Sequence, residues 1–211
     1  MTSIKICGLS TPDTLDAAIG AGASHVGFVF FARSPRNLLP ERAAGLAARV
    51  PPSVTKVGVF VDPDDALLDA ATPSLDAIQL HGSESPARLA AIRARYGLAL
   101  WKAAGVTTAA DIRAAVAAAR GACDLLLLDA KAPSSAPLPG GNGLRFDWRL
   151  LSDARPDMAW GLSGGLDADN VGAAVRDLRP PLVDVSSGVE EAPGVKSVHK
   201  IRAFIEAVRT A

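Results

Sequence analysis

The sequence predicts a single α/β domain, a (β/α)8 barrel over residues 1–211, and three observations carry that prediction. Short Val/Ile/Leu-rich runs recur along the chain, apolar on both faces as strands of a buried parallel sheet are. Each is followed by an Ala-rich segment with helical periodicity, so strand and helix alternate. Eight such units follow one another without a dividing linker, which favours closure into a barrel over the alternative, an open doubly wound sheet.

Taken in order, the apolar runs place strands at 4–7, 25–31, 55–61, 77–80, 99–103, 124–129, 158–162 and 182–186. The periodic segments place helices near 12–21, 40–49, 64–71, 86–96, 109–120, 147–151, 168–177 and 198–209. Several starts carry explicit signals. Thr11-Pro12 sets a hydroxyl cap before a proline at the first helical position, Asp167 precedes "ADN", and Ser197 precedes "VHKIRAFIEAV". The stretch "AKAPSSAPLPGGNG", 130–143, is too rich in Pro, Ser and Gly for regular structure. A connection of that length is either a lid over a site or a surface insertion.

Composition excludes several classes of partner. Lys+Arg and Asp+Glu both number 22, so the net charge is zero and gives no electrostatic case for a nucleic-acid or anionic-membrane partner, whose binding relies on a basic face. No apolar run approaches the roughly 18 residues that span a bilayer, and "MTSIKICGLS" lacks the layout of a secretory signal, so a cytoplasmic location is expected. The two cysteines are expected to remain thiols. Cys7 ends the first strand and Cys123 precedes the sixth, about a strand length of ~17 Å apart, beyond the reach of a disulfide. Cys123 reads as a small buried hydrophobe.

In a parallel barrel the chemistry sits at the C-terminal ends of the strands. Those positions hold Cys7, "FARSPR" with Arg36, "QLHG" with His81, Asp129, "SGG" at 163–165 and "VSSGVE" at 185–190. Cys7 and Asp129 end strands one and six, on different sides of the mouth. A base and an acid so placed suit a proton-shuttling isomerisation of a small sugar, although from position alone Asp129 could equally be a cap or an ion-pair partner. A thiol near its reference pKa of about 8.5 is mostly protonated at neutral pH, so a basic Cys7 needs help from a cation or backbone dipoles, and Lys5 is one candidate.

Gly164, Gly165, Ser187 and Gly188 lie in the loops after strands seven and eight, where such barrels bind phosphate. The ligand class these loops imply is a small phosphorylated molecule. Arg36 suits a carboxylate or phosphate, or is a solvated loop residue. His25, His81 and His199 show no metal-ligand spacing, so no metal is expected. No dinucleotide fingerprint follows the first strand, so neither is a nucleotide cofactor. His81 could orient substrate; His25 and His199 read as structural.

The ordered motifs "KICG", "GFVFFARSPRNL", "KVGVFV", "QLHG", "LLLLDA", "GGNGLRFDW", "LSGGLDADNV" and "VDVSSGVEEAPGVK" resemble the phosphoribosylanthranilate isomerase family of tryptophan biosynthesis across nearly the whole chain. The resemblance implies a (β/α)8 barrel that carries out, without cofactor, an Amadori rearrangement of N-(5-phosphoribosyl)anthranilate. It implies Cys7 as the general base at C2 of the sugar, Asp129 as the general acid at the furanose oxygen, and Arg36 as partner of the anthranilate carboxylate. It also implies His81 in the pocket and Gly164, Gly165, Ser187 and Gly188 on the phosphate. Family members commonly carry "KD" where this chain has Lys196-Ser197, and Ser can cap the last helix as Asp does; the variable position of the "GG-x-G" segment is Asn142. The rivals are the analogous histidine-pathway isomerase or a dual-substrate barrel, both with a carboxylate where this chain has Cys7, and a non-catalytic phosphate-ligand-binding barrel. Assembly stays open between monomer and homodimer.

Overall fold

The structure is a computed structural model that describes the chain except residues 132, 134–137, 139, 142, 144 and 145. Eight parallel strands close into a barrel in sequence order: β1 (Ser3–Cys7), β2 (His25–Phe30), β3 (Thr55–Phe60), β4 (Ala77–Leu80), β5 (Ala99–Val106), β6 (Leu125–Ala130), β7 (Trp160–Leu162) and β8 (Leu182–Val185). β8 returns to pair with β1, Ile6 opposite Val185, which sets Cys7 beside Ser186 at the mouth. Helices α1 (Pro12–Ala21), α2 (Pro40–Ala47), α3 (Asp65–Ala71), α4 (Pro86–Tyr96), α5 (Ala109–Ala119), α6 (Leu150–Asp153), α7 (Val171–Leu178) and α8 (Val198–Arg209) follow the strands, and a small hairpin, β9 (Glu190–Ala192) with β10 (Val195–Lys196), precedes α8.

Two of the three predicted caps form, those at Thr11 and Ser197. Thr11 accepts the Thr14 N–H and Ser197 accepts the Lys200 N–H, each at 3.4 Å, which satisfies donors that the first helical turn leaves unpaired. Asp167 acts one turn earlier than expected: its carboxylate accepts the N–H groups of Asp169 and Asn170 and caps a turn, so α7 begins at Val171 rather than 168. Asp147 likewise closes a turn on Arg149, and α6 starts at Leu150 rather than 147. β5 runs to Val106, past the expected 103, because its end pairs with the end of β6, Gly105 opposite Asp129 and Val106 opposite Ala130.

The main core fills the space between barrel and helices, around side chains such as Phe28, Leu80, Leu126 and Phe204. A second cluster of Val57, Ala77, Trp101, Ala103, Leu127 and Leu182 packs on its own. Close to the mouth the third cluster is small, Cys7 with Val29 and Val59, so Cys7 rests on two apolar neighbours. Cys123 joins the main core, and both cysteines are free thiols. Among the described residues, no helix is long and apolar enough to cross a membrane.

Candidate active site

Cys7, Arg36, His81, Asp129, Gly164, Gly165 and Ser187 all line one cavity at the C-terminal mouth. Leu138, Gly140, Gly141 and Gly143 also line it, so these residues of the 130–143 stretch lie at the site. Asn142 and much of that Pro/Ser-rich stretch lie outside the described residues.

On the β1/β8 side the cavity wall is built of buried charges. Lys5 is fully buried, and its ammonium lies 2.9 Å from Asp184 Oδ1. Lys5 and Cys7 alternate onto the same barrel face, and both press against Gly27 of β2. A Cβ there would lie 3.0 Å from Cys7 Sγ and 3.2 Å from Lys5 Nζ, so the absence of a side chain leaves room for thiol and ammonium together. Burial opposes the charge of Lys5, but Asp184 and Cys7 more than restore it and hold the ammonium above its ordinary value. For Cys7 the outcome is the reverse. Burial pushes the thiol up, and although Lys5 and Lys196 pull it down, burial wins. The cation at Lys5 anticipated from sequence is present, but it does not turn Cys7 into a standing thiolate.

Behind this pair lies a second. Arg36 is buried, which removes the solvated-loop reading, and it grips Glu190 bidentately: Nε donates to Oε1 at 2.7 Å and Nη2 to Oε2 at 2.8 Å. The "SPR" turn delivers it there. Ser34 Oγ accepts the Arg36 N–H, and Leu38 N–H returns to Val29 of β2. Lys196 donates to the same Glu190 at 2.7 Å and to the carbonyl of Ser186 at 2.9 Å. Burial lowers the Lys196 ammonium below its ordinary value, with Glu190 opposing; burial also works against the Glu190 carboxylate, but Arg36 and Lys196 hold it below the usual range.

The β4/β6 side is built differently. Asp129 ends β6 buried, and its Oδ1 accepts the Ala130 N–H at 2.8 Å. His81 Nε2 lies 3.4 Å from Asp129 Oδ2, outside hydrogen-bond geometry, and has no hydrogen-bond partner among the described residues. The loop that carries His81 is clamped from below: Glu84 accepts the N–H groups of Asp62 and Gly82, and Lys102 donates to the Gly82 carbonyl at 2.8 Å. Gly140 seats on this pair, where a Cβ would fall 2.6 Å from Asp129 Oδ2.

The phosphate-loop candidates divide. Gly164 and Gly165, both at left-handed φ (85° and 63°), and Ser187 face the cavity, whereas Gly188 packs against the carbonyl of Leu166, where any Cβ would collide. Gly188 thereby lets the two loops meet. His25 sits away from the cavity, tilted on Trp101 at 5.3 Å.

Sequence reasoning did not single out Asp184, Glu190, Lys196 or Gln79. Asp184 was detectable as a carboxylate inside the otherwise apolar "LVDV" strand, and Gln79 as an amide inside "AIQL". Glu190 and Lys196 had no such signal, because a charge in a loop after a strand is ordinarily solvated.

A closed barrel with a thiol, a carboxylate and an arginine converging on a cavity at its C-terminal mouth is an enzyme of the (β/α)8 class. The family model for N-(5'-phosphoribosyl)anthranilate isomerase matches residues 4–207. The chain is 55% identical to the isomerase of Parvibaculum lavamentivorans, covering 99% of this chain and 98% of that one, and 56% identical to that of Paracoccus denitrificans over 96% and 95%. It superimposes on the crystal structure of phosphoribosyl anthranilate isomerase from Thermotoga maritima with a TM-score of 0.88 at 36% identity, covering all of both chains. A further solved relative, TM-score 0.86 at 35% identity, is in complex with reduced 1-(o-carboxyphenylamino)-1-deoxyribulose 5-phosphate. The chain belongs to the N-(5'-phosphoribosyl)anthranilate isomerase family.

Proposed function

We propose that the family's isomerisation proceeds here with Asp129 as general acid and Cys7 as general base. Asp129 gives a proton to the furanose oxygen as the C1–O bond breaks, and the anilino nitrogen's lone pair forms the C1=N bond. Cys7 then removes the proton from C2, and its electron pair becomes the C1=C2 bond as the iminium nitrogen is neutralised. Protonation at C1 and loss of the enol proton complete the 1-deoxyribulose phosphate. The observation that carries this reading is the convergence of Cys7 and Asp129, from β1 and β6, on one cavity. A thiol held up by burial is a scarce thiolate at neutral pH but a correspondingly strong base once formed.

Arg36, oriented by Glu190, takes the anthranilate carboxylate, His81 lies against the sugar, and Gly164, Gly165 and Ser187 present backbone and hydroxyl donors to the phosphate, with Gly188 closing the two loops. These steps move only protons and electron pairs within the substrate and so call for no cofactor. A relative from Thermotoga maritima is dimeric, which keeps a homodimer of this chain open beside a monomer. The free thiols suit the reducing cytoplasm.

The test is turnover of phosphoribosylanthranilate and of the histidine-pathway aminoimidazole substrate, assayed side by side. Turnover of the first alone is expected; turnover of the second alone would overturn the reading. In Arg36→Met, KM for phosphoribosylanthranilate should rise about tenfold or more while inorganic phosphate still competes, because the lost contact is charge-assisted. Loss of phosphate inhibition would move Arg36 to the phosphate site.

A further inference from the structure

Gln79 stands in β4 between Val59 of β3 and Trp101 of β5, in register with both, and shares its strand face with His81. It is 1% exposed. Its carbonyl oxygen is buried and has no hydrogen-bond partner among the described residues, and the same holds for His81 Nε2 two residues on. Buried polar groups are ordinarily paired, because an unpaired one loses its water and gains nothing in return. A Met or Leu would fill the space beside Val59 and Trp101 without that cost. Both unpaired groups belong to residues lining the cavity that holds Cys7 and Asp129.

We propose that Gln79 is a substrate-binding residue whose side-chain carbonyl accepts a hydrogen bond from a hydroxyl of the substrate's sugar. The proposal rests on the functional reading above, which sets the sugar against Asp129 and therefore beside His81 and Gln79. Gln79 and His81 then form a two-point polar clamp on one strand. The donor that satisfies the carbonyl arrives with the substrate, so the cost borne by the empty site is recovered on binding.

The experiment measures three quantities for wild type, Gln79→Met and Gln79→Asn: affinity for reduced 1-(o-carboxyphenylamino)-1-deoxyribulose 5-phosphate, inhibition by inorganic phosphate, and Tm without ligand. Met keeps the length without the amide, and Asn withdraws the amide by one methylene. The expected result is about tenfold weaker binding of the reduced product in each variant, unchanged phosphate inhibition, and a Tm in the Met variant at or above that of wild type. Unchanged affinity in either folded variant overturns the proposal. So does a Tm that falls with the affinity, or failure of both variants to fold, since either result makes Gln79 part of the scaffold. Wild-type protein inactive on phosphoribosylanthranilate would instead overturn the functional reading.

Discussion

The two sides of the barrel mouth solve the same burial problem in opposite ways. Around Cys7, charges are buried deeply but compensated: Lys5 by Asp184 at 2.9 Å, Arg36 and Lys196 by Glu190 at 2.7 Å each. Around Asp129, two neighbouring polar groups, the Gln79 carbonyl and His81 Nε2, have no hydrogen-bond partner among the described residues. A base that must ionise inside protein needs fixed charges around it, because water cannot supply them. On the proposed assignment of Asp129 as the acid, that side would face a substrate rich in hydroxyls, which can complete its hydrogen bonds. The contrast is between charges paired within the protein and polar groups left for a ligand to pair.

Apart from the two reagents themselves, the largest effect expected on the compensated side is from Asp184→Asn. Lys5 would be left buried without its counter-charge, and urea unfolding should show a loss of about 3–5 kcal/mol; a loss below about 1 kcal/mol would mean that the pair is not sealed from solvent. A smaller effect is expected from Lys196→Met. Lys196 pulls the Cys7 thiol down, so its removal should move the midpoint of Cys7 alkylation by iodoacetamide to higher pH, while Lys196→Arg should leave it near wild type. A midpoint unchanged or lowered in the Met variant would detach Lys196 from the base.

The smallest effect concerns His25, outside the mouth. Burial, with Lys5 adding to it, lowers its pKa to about 4, below the ordinary 6.5 that it would have unfolded. The unfolded chain then binds the proton that the folded one refuses, so this contribution to stability is complete above pH 6.5 and is lost as pH falls toward 4. His25→Gln should flatten the fall in urea midpoint between pH 7 and pH 5. An unchanged slope would show that other groups set it.

The barrel was legible from sequence because buried parallel strands declare themselves as apolar runs, and the placement of Cys7, Asp129, His81 and Arg36 around one cavity was legible because it lies at the strand ends and the loops after them. The start of α7 was not, since Asp167 caps a turn as readily as a helix. Glu190 and Lys196 were hidden for a deeper reason. Their burial comes from the short β9–β10 hairpin folding back under Ser186, a tertiary contact with no local pattern. The level of the Cys7 thiol follows the same logic: "KIC" shows a cation two residues away, but only the fold shows that Asp184 shares it and that burial outweighs it.

A base and an acid facing one cavity are tested most directly by turnover of phosphoribosylanthranilate in Cys7→Ala and Asp129→Ala, measured alongside binding of the reduced product. Each variant should turn over about 10² to 10⁴-fold more slowly while still binding that ligand. Turnover near that of wild type in either one would contradict the assignment of that residue to the chemistry.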